Sequence, residues 1–110
     1  MTAGELSAHL NLSCLAGENG LEKPLQGCFV GDLLSHALAR VSQGNVWITI
    51  HGHPNAVAVG VETKAGCIIL CDSATLDPAA AARANEFRLP VFGSKQSAYT
   101  LASQLAALQI

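Results

Sequence analysis

Hydrophobic positions along the chain fall into short blocks of two kinds. LSCLA, QGCFV, VWITI, CIILC and VFG are continuous apolar runs bounded by turn formers, as buried strands are. Between them the apolar residues recur at helical spacing. Thr2 with Glu5 forms a capping-box pattern before a short helix from Ala3 to Leu10, with Leu6 and Leu10 facing inward. Asp32 is placed to cap a helix that carries Leu33, Leu34, Ala37, Leu38 and Val41 on one face, closed by Gly44 and Asn45. Asp77 before Pro78 starts an alanine-rich helix, and Ser94 or Ser97 caps a last one bearing Ala98, Leu101, Ala102, Leu105 and Leu108. GENGLEKP is the one loop-like segment, too near the start to separate two cores. Strands alternating with short helices predict one α/β domain over residues 1–110, with a mainly parallel sheet of about five strands flanked by helices.

The stretch WITIHGHPNAVAVG, Trp47 to Gly60, admits three readings. AVAVGV alternates as a strand does, which makes a hairpin with HGHPN as its loop. With His53 or Gly52 as cap and Pro54 as the first helical residue, Asn55 to Lys64 instead forms a crossover helix, which a parallel neighbour for CIILC requires. As a metal site, His51 and His53 would share one side of an extended chain and need Cys71, Asp72 or His36 to complete the set.

Composition narrows the partners. Only 13% of residues are charged, against roughly a quarter in ordinary domains, which predicts surface hidden in a homodimer or against another subunit. The net charge of -2, without a basic stripe, argues against nucleic acid. No apolar run is long enough for a membrane span and MTAGELSAHL lacks a leader pattern, so a cytoplasmic location is expected. Cys14, Cys28, Cys67 and Cys71 all lie in apolar, strand-like contexts and read as free buried thiols. A P-loop, a GxGxxG fingerprint and a GxSxG elbow are absent, so no catalytic residue, cofactor or enzyme activity is assigned.

The polar residues are not scattered. Gly31 and Asp32, His51 to Asn55, Asp72 and Ser73, and Gly93 to Ser97 each follow a strand, and in a parallel sheet such ends share the edge where ligands bind. Helix starts at Asp32, Asn55 and Ser97 would aim backbone amides at an anion there. Asp32, His51, His53, Asn55, Asp72, Ser73 and Ser94 are therefore the candidate contacts for a small anionic metabolite or nucleotide. Capping alone would also place such residues there. Trp47 and Tyr99 read as core or interface anchors.

One collinear series of residues carries a resemblance. GDLLS at Gly31 to Ser35, WIT at Trp47 to Thr49, Asn55, Ala58 with Val59, CIIL at Cys67 to Leu70, Asp77, Ala84, Pro90 with Val91, and Tyr99 together resemble the DRTGG domain family. That module is related to the N-terminal domain of HPr kinase/phosphorylase and also occurs beside CBS and phosphotransacetylase domains. The resemblance implies an α/β sandwich in which the histidine stretch is loop and helix. It implies a regulatory or ligand-sensing role with no established catalysis. Stand-alone relatives accompany iron hydrogenase genes, which implies an accessory role beside a redox enzyme as the alternative. Where many members carry a threonine and two glycines, this chain has Cys71, Asp72, Ser73 and Ala74, a departure that bears on any backbone-lined anion site.

Overall fold

A computed structural model describes all residues from Met1 to Ile110. The element order is α1 (Ala3–Leu10), β1 (Ser13–Ala16), a 3-10 turn (Glu18–Gly20), β2 (Cys28–Val30), α2 (Leu34–Arg40), β3 (Val46–Thr49), α3 (Pro54–Glu62), β4 (Cys67–Leu70), α4 (Pro78–Glu86), β5 (Val91–Gly93) and α5 (Ala98–Ala107). One five-stranded sheet runs β1-β5-β4-β3-β2. Strands β2 to β5 are mutually parallel, and β1 joins β5 antiparallel. This is the expected α/β architecture.

The sheet buries both faces because alternate residues of β3 and β4 serve different cores. Trp47, Ile68, Leu70 and Val91 face one layer, packed with Ala37 of α2, Ala56 and Val57 of α3, and Ala80 and Ala84 of α4. Val46, Ile48, Cys67, Ile69 and Phe92 face the other, with Leu6 of α1 and Leu101 and Leu105 of α5. The small alanines on the first side let the helices lie close to the sheet. The Trp47 indole N–H donates to the Gly31 carbonyl at 2.9 Å, pinning the end of edge strand β2.

The histidine stretch is a crossover helix, so the hairpin reading is wrong. The reason is local: Pro54 takes the first helical position and His53 caps it through its side chain. The capping box at Thr2 and Glu5 is present, and Ser97 caps α5. Four expectations need correction. Asp32 does not cap α2, whose N-cap is Leu33 with no side-chain hydrogen bond. Leu33 and Leu38 are exposed, because α2 is short and its contact with the sheet runs through Ala37 and Val41. Tyr99 is 83% exposed and belongs to no core, and of the thiols only Cys67 and Cys71 are buried. No helix is long and apolar enough to cross a membrane.

Candidate ligand-binding edge

Because β2 to β5 are parallel, Val30, Thr49, Leu70 and Gly93 end at one edge of the sheet, and all seven candidate residues lie in the loops or helix start beyond it. The structure divides them into three groups. In the first, Asp32 Oδ1 accepts from the Thr49 hydroxyl at 2.8 Å and from the Ile50 N–H at 3.0 Å. Thr49 is only 1% exposed, and its hydroxyl oxygen in turn accepts from the His51 N–H at 3.3 Å. Asp32 is thus a brace between two loops. It satisfies a buried hydroxyl that would otherwise cost free energy.

In the second group, the His53 ring Nδ1 accepts from the Asn55 N–H at 3.1 Å, which caps α3 and assigns the proton to Nε2. The Asn55 side chain is exposed on the first turn, and His51 is half-buried. His36 packs edge-on against Phe29, with ring centroids 5.3 Å apart. No three His, Cys, Asp or Glu side chains converge anywhere in the chain, so the metal reading of His51 and His53 lacks the third ligand a zinc site needs.

The third group surrounds the end of β4. Asp72 and Ser73 both adopt left-handed backbone, at φ 54° and 58°. This is a conformation that glycine takes without strain, and it falls in the segment where the family pattern brings glycines. Their amides are not free: Asp72 N–H donates to the Gln96 carbonyl and Ser73 N–H to the Ser94 carbonyl, each at 2.9 Å. The loop after β5 therefore consumes the donors that would have formed a backbone anion nest. The Ser94 hydroxyl accepts from the Gln96 N–H at 3.1 Å. Ser73, Ser94, Lys95 and Gln96 line a hollow of about 530 Å³ against Asn11 and Ser13.

Charge at this edge is mixed. Burial, and then the nearby Asp72 and Asp32 carboxylates, push the Cys71 thiol up, so both acids act on one point near the middle of the edge. Partial desolvation pushes the Cys28 thiol up to about 11 and the Cys14 thiol upward, and full burial pushes Cys67 up, which leaves no thiol activated as a nucleophile. Cys28 and Cys67 both pair with Val46, so they stand two strand spacings apart, ~10 Å, beyond disulfide reach. Thr49, Lys95 and Gln96 were missed in the sequence. The readable signal for Thr49 was a lone hydroxyl ending a buried strand. Lys95 lay in view within Gly93 to Ser97, a segment read for its serines alone.

The DRTGG domain family model matches residues 5–108. The chain belongs to the DRTGG domain family. No curated protein matches it. Among solved structures, it is similar to the crystal structure of the CBS and DRTGG domains of the regulatory region of Clostridium perfringens pyrophosphatase, complexed with the activator diadenosine tetraphosphate. The TM-score is 0.74 at 14% identity, over 93% of this DRTGG chain and 44% of that one. At that identity the likeness is one of fold. The chain spans less than half the length of that relative.

Proposed function

We propose that this DRTGG domain is a non-catalytic regulatory module that senses a nucleotide at the C-terminal edge of its sheet. The observation that carries the reading is the hollow shared by Ser73, Ser94 and Lys95. Two hydroxyls and one cation suit a phosphate. A bare anion fits the rest of the edge poorly, since Asp32 and Asp72 would repel it. A nucleotide resolves the conflict, because its ribose hydroxyls and base N–H groups donate to carboxylates. His51, His53 and Asn55 then contact the part of the ligand that lies over the start of α3. Family membership, and the nucleotide activator of the pyrophosphatase regulatory region, support a regulatory role.

The test is a thermal melt with diadenosine tetraphosphate and its mononucleotide fragments. A bound nucleotide raises Tm by several degrees at concentrations well above Kd. Lys95→Ala and Asn55→Ala abolish that rise while leaving the unliganded melt unchanged. No shift with any nucleotide overturns the reading.

A second reading rests on a different surface. Val30, Leu33, Leu38 and Ile50 are exposed around the open edge of β2 and along α2. They suit a homodimer contact, or docking on a redox enzyme as an accessory subunit. Sedimentation at rising concentration decides the first form: a dimer that Leu33→Asp dissolves supports it, and a monomer throughout refutes it.

A further inference from the structure

A second concavity lies at the opposite, N-terminal edge of the sheet. It has a volume of about 470 Å³, within the range of small-molecule sites, and sits below the starts of the parallel strands. Leu25, Val61, Phe87 and Leu89 give it apolar walls, and Lys23 and Lys64 are its two charged residues. No carboxylate lines it. The protein's one salt bridge joins Arg88 to Glu22, so neither lysine has an acidic partner.

Lys64 is the informative residue. It occupies the position after the α3 C-cap in a Schellman turn, with Lys64 N–H donating to the Val61 carbonyl and Ala65 N–H to that of Gly60. Its φ is 59°, and glycine is the residue that fits such a position without strain. Helix α4 ends in the same way at Arg88, φ 57°. There the cation is accounted for, since the Arg88 guanidinium donates to the Asn19 carbonyl and to Glu22. Lys64 has no such partner and is among the residues that line the cavity. Favourable interaction with the helix dipole does not demand this position, because a lysine anywhere in the last turn supplies it.

We propose that this cavity is a second binding site, for a small organic anion whose carboxylate or phosphate lies between Lys23 and Lys64 and whose flat apolar body rests on Leu25, Phe87 and Leu89. Gln26 and Gln43 also line it, joined by a hydrogen bond that the Gln26 side-chain amide donates to the Gln43 carbonyl at 3.2 Å. The site is independent of the nucleotide reading, as it shares no residue with the other edge.

The test is amide chemical-shift titration of the full chain with phenyl phosphate, benzoate, inorganic phosphate and phenol. Phenyl phosphate or benzoate moves the amides of Gly44, Lys64 and Gly66, and whichever binds more tightly identifies the head group. Phosphate without a ring and phenol without a charge each bind at least about tenfold more weakly, a difference of roughly 1.4 kcal/mol. Lys64→Gly separates the site from the fold: it raises Tm by a few degrees, because glycine relieves the left-handed strain, yet loses the titration. Lys23→Ala loses it too, and Lys95→Ala retains it. Shifts confined to Ser73 and Ser94, no shift at millimolar probe, or binding that survives Lys64→Gly would each refute the proposal. None of these results bears on diadenosine tetraphosphate at the other edge.

Discussion

The two ends of the parallel sheet differ in how their polar groups are used. At the C-terminal edge the loops hold one another: Asp32 ties to Thr49 and Ile50, and Asp72 and Ser73 tie to Gln96 and Ser94. At the N-terminal edge the backbone bonds are also closed, but two lysines line a partly apolar cavity that no carboxylate lines, and neither forms a salt bridge. Parallel sheets bind ligands at their C-terminal edge when the loops there leave donors open. In this chain part of that equipment is spent on the scaffold. The contrast shows why polar residues after strands are a weak guide by themselves: a side chain that braces a neighbouring loop has the same sequence position as one that holds a ligand.

The sharpest way to separate a rigid edge from a yielding one is to add a methyl group to each. At Gly52, beyond β3, a Cβ would lie 1.7 Å from the Thr75 carbonyl oxygen, and the Gly52 carbonyl itself accepts from the Asp77 N–H. Backbone would have to move. Gly52→Ala is expected to cost about 3 kcal/mol, the upper range for overpacking. At Gly60, on the wall of the other cavity, the nearest atom is a terminal methyl of Leu89 at 2.8 Å, and alanine is favoured within a helix. Gly60→Ala should change stability by less than about 1 kcal/mol. Urea denaturation of the two variants checks this, and equal losses would show that the edges are equally rigid.

A smaller difference separates two aspartates that the sequence reads alike. Asp32 and Asp77 both precede helices, and neither side chain caps one. Asp32→Ala removes an acceptor from a buried hydroxyl and a backbone amide, a loss of roughly 2 kcal/mol. Asp77→Ala, which removes no side-chain hydrogen bond, should stay within about 0.5 kcal/mol. Equal effects in urea melts would mean that the brace carries no stability.

These residues also mark the limit of what was legible. Strand existence, the crossover helix and the parallel sheet follow from apolar runs, the Pro54 signal and chain lengths, all of which are local or additive. The partner of Asp32 was not legible, because Thr49 lies 17 residues away and meets it only once β2 and β3 pair. The exposure of Leu33 and Leu38 escaped for the same reason, since spacing defines a face but not whether the sheet extends beneath it. The lysine cavity joins residues from four connections at strand starts, each unremarked in its own segment. Only the αL conformation of Lys64 singles it out, and backbone dihedrals are not written in residue order.

The smallest expected effect concerns how the N-terminal edge is held together. Ala3 N–H donates to the Lys23 carbonyl and Leu25 N–H to that of Met1, so the start of α1 fastens the segment that carries Lys23. The start of α1 is in turn held by its capping box, in which Glu5 Oε1 accepts from the Thr2 N–H at 2.8 Å and the Thr2 hydroxyl oxygen accepts from the Glu5 N–H at 3.2 Å. The Thr2 backbone bond, and then its side chain, hold the Glu5 carboxyl below its ordinary value of 4.5. A carboxyl with a depressed folded pKa contributes stability that is present above 4.5 and lost as pH falls through the folded value. Because Glu5 is exposed, the change should be small and weakened by salt. Hydrogen exchange at Ala3 and Leu25 between about pH 6 and 3 should lose protection relative to a Glu5→Gln variant, in which the titrating charge is absent. Parallel loss in both proteins would show that the box does not hold this wall, and that the Lys23 segment stands on its own backbone bonds.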